Sequence, residues 1–139
     1  MDAIKFLGIH IDQFINFKKH INELVKKLSK IVGLFFKVRH VLPLDVLLSL
    51  YRTLFEPHLT YCNIIWHNTY PTYTEKLLIL QKKAIRAISW STRNSHTNAL
   101  FHRHGLLKLP ECNFYHNACT MYNVQCCQQV KPHTQKKYI

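Results

Sequence analysis

Apolar residues recur with helical spacing along most of this chain. In residues 17–40, Ile21, Leu24, Val25, Leu28, Ile31, Val32, Phe35 and Val38 return every three or four positions, which predicts a long amphipathic helix. Pro43 suits a first helical turn and Asp45 suits a positive helix N-terminus. A second helix is therefore expected over about 44–55, with Leu44, Leu47, Leu48, Tyr51 and Leu54 or Phe55 inward. Pro57 should break or kink it. Residues 58–67 then read as a further helical piece packed through Tyr61, Ile64, Ile65 and Trp66. A loop follows, with Thr72 or Thr74 capping a helix that runs to about Ser89. Its inner side is Leu77, Leu80, Ala84, Ile85 and Ile88. Residues 91–97 are a polar loop, 96–103 a short helix stopped by Gly105, and Pro110 opens a last helix through about Val124.

The ends read differently. Residues 4–11 alternate with period two and predict one short strand, in which Gly8 marks a bulge or the close approach of another backbone. A lone strand is not stable. No second strand is legible, so the chain is expected to begin inside something larger. From Gln125 onward there is no periodicity. The expected fold is all-α in the main: a helical bundle over 13–124, a strand segment over 1–12 that is the remnant of a sheet edge, and a disordered or drifted tail over 125–139.

Composition sharpens this picture. A chain of 139 residues with 47% hydrophobic content makes one domain with a packed core. Only 3 Gly argue against a turn-rich all-β fold. Lys and Arg number 19 against 7 Asp and Glu, a net charge of +12, which points to a polyanionic partner: RNA or DNA first, an anionic membrane surface second. Basic residues interrupt every apolar run well short of the ~20 residues of a membrane span. No signal-peptide pattern opens the sequence. The expected location is nucleus or cytoplasm, with the 5 Cys reduced.

The charge has a pattern as well. Lys19, Lys26, Lys30 and Lys37 fall within roughly 40° of one another at about 100° per residue, opposite the apolar stripe. Lys82, Lys83 and Arg86 lie away from the apolar side of their own helix. Either set can be an ordinary solvated face. The near absence of acids, with only Glu23 close to the first set, favours phosphate.

Candidate chemistry is sparse. Two-metal phosphoryl transfer needs paired carboxylates. Asp2, Asp12 and Asp45 stand alone, so no catalytic residue is assigned. Cys112, His116 and Cys119 share a helix face, yet no Cys-x-x-Cys pair exists, and no metal site is assigned. A Cys62–His58 nucleophile pair lacks a visible orienting acid. Trp66, Tyr61 and Tyr51 have base-stacking chemistry, but their spacing beside Leu and Ile favours the core.

Several blocks in order resemble a known family. Lys5-Phe6-Leu7-Gly8 resembles the Lys-aromatic-Leu-Gly motif that follows the catalytic palm of non-LTR (LINE, jockey-like) retrotransposon reverse transcriptases. His20-Ile21, the run Lys26-Lys27-Leu28-Ser29-Lys30 and Gly33 look like their first thumb helix. Leu42-Pro43 with Leu47-Leu48-Ser49-Leu50-Tyr51 is similar to the second. Pro57 to Cys62 with Ile65-Trp66, then Leu80-Gln81-Lys82-Lys83-Ala84-Ile85-Arg86, match later blocks. His96-Thr97, Leu100-Phe101, Leu106-Leu107-Lys108-Leu109 and Met121-Tyr122 complete the series. His67 departs from the usual Gly, and residues 124–139 match nothing.

The resemblance implies an RNA-directed DNA polymerase of a mobile element, represented here only by its primer-grip strand and thumb. It implies a primer-grip-like role for Phe6, Leu7 and Gly8, and backbone contacts to a template–primer duplex from the seven basic residues. It also implies a palm-bearing polymerase chain as partner. Magnesium belongs to the parent enzyme; this chain lacks the upstream Asp-Asp block and is expected to bind no cofactor, to have no catalysis alone and no membrane partner. The rival expectations are a repurposed stand-alone helical adaptor or nucleic-acid-binding protein, and a non-functional pseudogene product.

Overall fold

The computed structural model of the chain describes residues 4–92 and 94–129. Its described residues form a helical bundle with a small hairpin at one end. The segment 4–11 is two strands rather than one: β1 (Ile4–Phe6) pairs antiparallel with β2 (Ile9–Ile11), Lys5 opposite His10. Leu7 and Gly8 form the turn, with φ of 46° and 83°. A two-residue hairpin with both central residues at positive φ matches the twist of its strands, which is why Gly8 is needed there. The missing partner strand thus lies inside the predicted one. Gly8 serves the turn rather than a bulge, and a Cβ added to it would meet only ordinary contact, 3.9 Å from the Tyr61 ring.

Helix α1 (Lys18–Val38) forms where its spacing predicts, and buries Ile21, Leu24, Leu28, Val32 and Phe35. Each such side chain taken out of water contributes on the order of 2 kcal/mol. Its principal partner is α5 (Pro71–Ile88), which turns Leu77, Leu80, Ala84, Ile85 and Ile88 inward. Pro71 starts α5 after Tyr70, and neither Thr72 nor Thr74 caps it. Thr74 bonds back to the Pro71 carbonyl instead.

Between them the chain stays helical through Pro57: of the expected break or kink, the break does not occur. Helix α2 (Leu44–Leu50) runs into a π-turn (Tyr51–Phe55) and on into α3 (Glu56–Thr60). The core positions explain the wide turn. Leu47, Tyr51, Phe55 and Leu59 are all buried at a spacing of four. A regular α-helix would rotate each step about 40° further round. The wider π-turn takes up part of that drift and keeps all four on one side. Leu44, expected inward, is exposed; of the alternatives Leu54 and Phe55, Phe55 is the buried one.

Cys62, at φ 50°, separates α3 from the short α4 (Asn63–Trp66). That left-handed residue rotates the following turn. Trp66 and Asn63 become buried, whereas Tyr61, Ile64 and Ile65, expected to pack, face solvent.

Helix α6 (Thr97–Arg103) ends at Gly105, φ 60°, as expected. The Leu106 amide donates to the Phe101 carbonyl and the Gly105 amide to that of His102, the Schellman pattern. Helix α7 (Leu109–Gln129) opens with the Glu111 carboxylate accepting from the Lys108 amide at 2.9 Å. It runs five residues past Val124, so 125–129 are helix rather than the expected tail; residues 130–139 lie outside the described part. Among its described side chains, Leu109 and Cys112 in the first turns join the core, and Phe114, Met121 and Tyr122 are exposed.

Candidate nucleic-acid interface

The α1 stripe fixes what its opposite face must present. Lys19, Lys26, Lys30 and Lys37 are all exposed. Over those 18 steps the helix rises about 27 Å, or about eight base-pair steps of a duplex. Among the described residues the ion pairs are His10–Glu23 and Lys108–Glu111, so no acid neutralises this face.

The second set is less uniform. Lys83 is exposed, while Lys82 and Arg86 are half-buried. The Arg86 guanidinium donates twice to the Ser95 carbonyl, from Nε at 3.2 Å and Nη2 at 3.1 Å. It braces the loop after α5 as well as carrying charge. Lys83 and Arg86 also line a cleft of about 730 Å³ with Phe36 and Arg39 from the end of α1 and Ser91 and Asn94 from beyond α5. No carboxylate is among those six. Phe36 and Arg39 were invisible to the spacing argument, because one flanks the apolar stripe and the other lies past its end.

The hairpin residues Phe6 and Leu7 are exposed and apolar. Besides Ile9, which is buried in the core, two polar contacts pin the hairpin to the bundle. The Tyr61 hydroxyl donates to the Leu7 carbonyl at 2.8 Å, and His10 Nε2 meets Glu23 Oε2 on α1 at 2.8 Å. A small cavity under the turn is lined by Gly8, His20, Glu23, Lys27, His58 and Tyr61.

Of the three aromatics weighed for stacking, Trp66 and Tyr51 are core residues. The Trp66 indole donates to the Tyr61 carbonyl at 3.0 Å. Among the described residues no group of three His, Cys, Asp or Glu is placed to hold a metal. Burial pushes the Cys112 thiol up to about 11, which keeps it protonated near neutrality. Asp12 accepts the Asn16 amide, and Asp45 sits in the first turn of α2. These isolated acids do not fit a two-magnesium centre. No helix among the described residues is long and apolar enough to cross a membrane.

His20 is expected to make the molecule acid-sensitive. It is buried beside Trp66, its Nε2 has no hydrogen-bond partner, and burial together with the neighbouring His10 lowers its pKa from 6.5, with Lys27 acting the same way and Glu23 opposing. A lowered histidine pKa means the unfolded chain binds more protons, so stability is full above 6.5 and falls as pH drops through that value. The melting temperature should therefore decline between pH 7.5 and 5.5, above the carboxylate range. His20→Phe should flatten that decline. His104, lowered by burial and by Arg103, supplies a smaller remainder of the same sign. An unchanged profile in the variant would mean that the His20 ring is solvated when protonated.

No family model, curated protein or solved structure matches this chain.

Proposed function

We propose that this chain is the primer-grip and thumb portion of a non-LTR retrotransposon reverse transcriptase, holding a template–primer duplex by its sugar-phosphate backbone and performing no catalysis alone. The observation that carries the binding reading is the α1 face: four exposed lysines in line, with no acid paired to them. The family reading rests on the ordered blocks of sequence from Lys5 to Tyr122. It is supported by the hairpin, whose Ile4, Phe6 and Leu7 are exposed on a two-stranded sheet with both edges open. Such a sheet suits the addition of further strands from a palm-bearing chain.

Binding to phosphates carries no base information. Two duplexes of unrelated sequence should bind with dissociation constants within about threefold of each other. With primed template, magnesium and nucleotides the chain should extend nothing. Metal-dependent extension by contaminant-free protein, or a strong preference for one duplex sequence, would overturn the reading.

A further inference from the structure

We propose that the cleft between the ends of α1 and α5 holds an unpaired nucleotide of a single strand, with its phosphate against Arg39, Lys83 and Arg86 and its base stacked on Trp90. This rests on the nucleic-acid reading and assigns that function a second, chemically different subsite.

The backbone gives the first reason. Helix α5 closes with the Ser91 amide donating to the Arg86 carbonyl at 3.1 Å, which puts Trp90 at the left-handed position after the helix, φ 54°. Glycine is the usual residue there, and Gly105 fills the same position after α6. A bulky side chain in this conformation is strained, and such strain concentrates at binding sites. Trp90 does little for the core in return, because 55% of its surface is exposed.

The surroundings give the second. The Arg39 guanidinium lies 5.0 Å from the Trp90 ring centre and 5.3 Å from that of Phe36, while His40 meets Trp90 edge-on at 4.7 Å. Arg39 lines the cationic cleft and so joins it to the indole, which itself lines a second pocket with Asp45, Arg103 and His104. A half-exposed aromatic held against a cleft arginine, with Arg103 and Asp45 also lining its own pocket, combines the stacking surface and the backbone charge that single-strand binders use. A duplex end with its bases already stacked offers no free face to the indole. The subsite therefore selects a single-stranded extension over a blunt end.

The test compares three probes at low salt: a blunt duplex, the same duplex with a tail of about ten thymidines, and the same duplex with an abasic tail of equal charge. The thymidine tail should bind about 5- to 150-fold tighter than the abasic one, the range expected for one stacked base. Trp90 emission should be quenched on binding, and the other tryptophan, Trp66, is fully buried and serves as the internal reference. Trp90→Gly should erase the difference between the tails, while its melting temperature stays within a few degrees of the parent or rises, since glycine relieves the strained φ. Equal affinity for the two tails, no quenching, or a Trp90→Gly protein that still prefers thymidine would overturn the proposal. Quenching by phosphatidylserine vesicles but not by the tail would also overturn it, in favour of a lipid surface. Blunt-duplex binding with no gain from either tail would sink this subsite and leave the duplex grip standing; no binding to any probe would sink both.

Discussion

Gln81→Leu should cost about 2–5 kcal/mol, a large part of the 5–15 kcal/mol that holds a domain of this kind together. Gln81 is 1% exposed and in the middle of α5. Its Nε2 donates to the Tyr51 hydroxyl at 3.0 Å and to the Leu107 carbonyl at 2.9 Å. Its Oε1 accepts the Leu109 amide at 2.9 Å. One side chain thus ties the π-turn, α5 and the start of α7. Leucine fills nearly the same volume, so the loss isolates the polar term: a buried amide and a buried hydroxyl lose their partners. The Leu107 carbonyl suffers less, because the Cys112 thiol also reaches it at 3.6 Å. Urea melts would measure the change. Adding Tyr51→Phe to Gln81→Leu should restore part of the loss, since one orphaned group is then removed. A cost below about 1 kcal/mol would mean that water replaces the amide at this joint.

The contrast between Gln81 and its neighbours shows what the sequence makes legible. Leu80, Ala84, Ile85 and Ile88 announce the inner face of α5 by their spacing, and they are buried. Gln81 lies among them, with Lys82 and Lys83 following, and nothing in its residue type says that its amide will be matched by three partners from elsewhere in the chain. Helices α1 and α5 were readable because each is long enough for periodicity to outweigh local accidents. The hairpin was not, since two three-residue strands joined by a two-residue turn keep the same alternation as one strand of eight. The π-turn is not legible because Pro57 normally ends a helix. Here the extra residue per turn lets the helix pass, and the spacing of four from Leu47 to Leu59 was the available signal.

The candidate site divides along the same line. The lysines of α1 could be placed because a helix with one buried face must expose the other. Lys82, Lys83 and Arg86 could be assigned to an outer side, but the double bond from Arg86 to Ser95 depends on how the chain turns after Ile88. Trp90 and Arg39 meet only because the ends of two helices far apart in sequence come together, and single-sequence periodicity carries no information about that meeting.

The steepest expected response is to salt. Taking the four α1 lysines and Lys83 as about five phosphate contacts, the log–log slope of duplex affinity against salt should be near −4 to −5, at about −0.9 per contact. Raising salt from 50 to 200 mM should then weaken binding about 500-fold. Lys26→Gln with Lys30→Gln should flatten the slope by about two units. Both positions are exposed on α1 opposite its buried stripe, and glutamine is a good helix former, so the fold should be kept. Lys76→Gln with Arg52→Gln lowers the net charge equally, at exposed positions outside both proposed contact sets, and should leave the slope nearly unchanged. That pairing separates an aligned grip from diffuse attraction to a basic molecule, because diffuse attraction would flatten both double variants alike. Vesicles rich in phosphatidylserine should be titrated in parallel. If the α1 variant loses vesicle binding but keeps its duplex slope, the α1 face meets lipid rather than phosphodiester. If the duplex does not bind even at low salt, that face is only a solvated one.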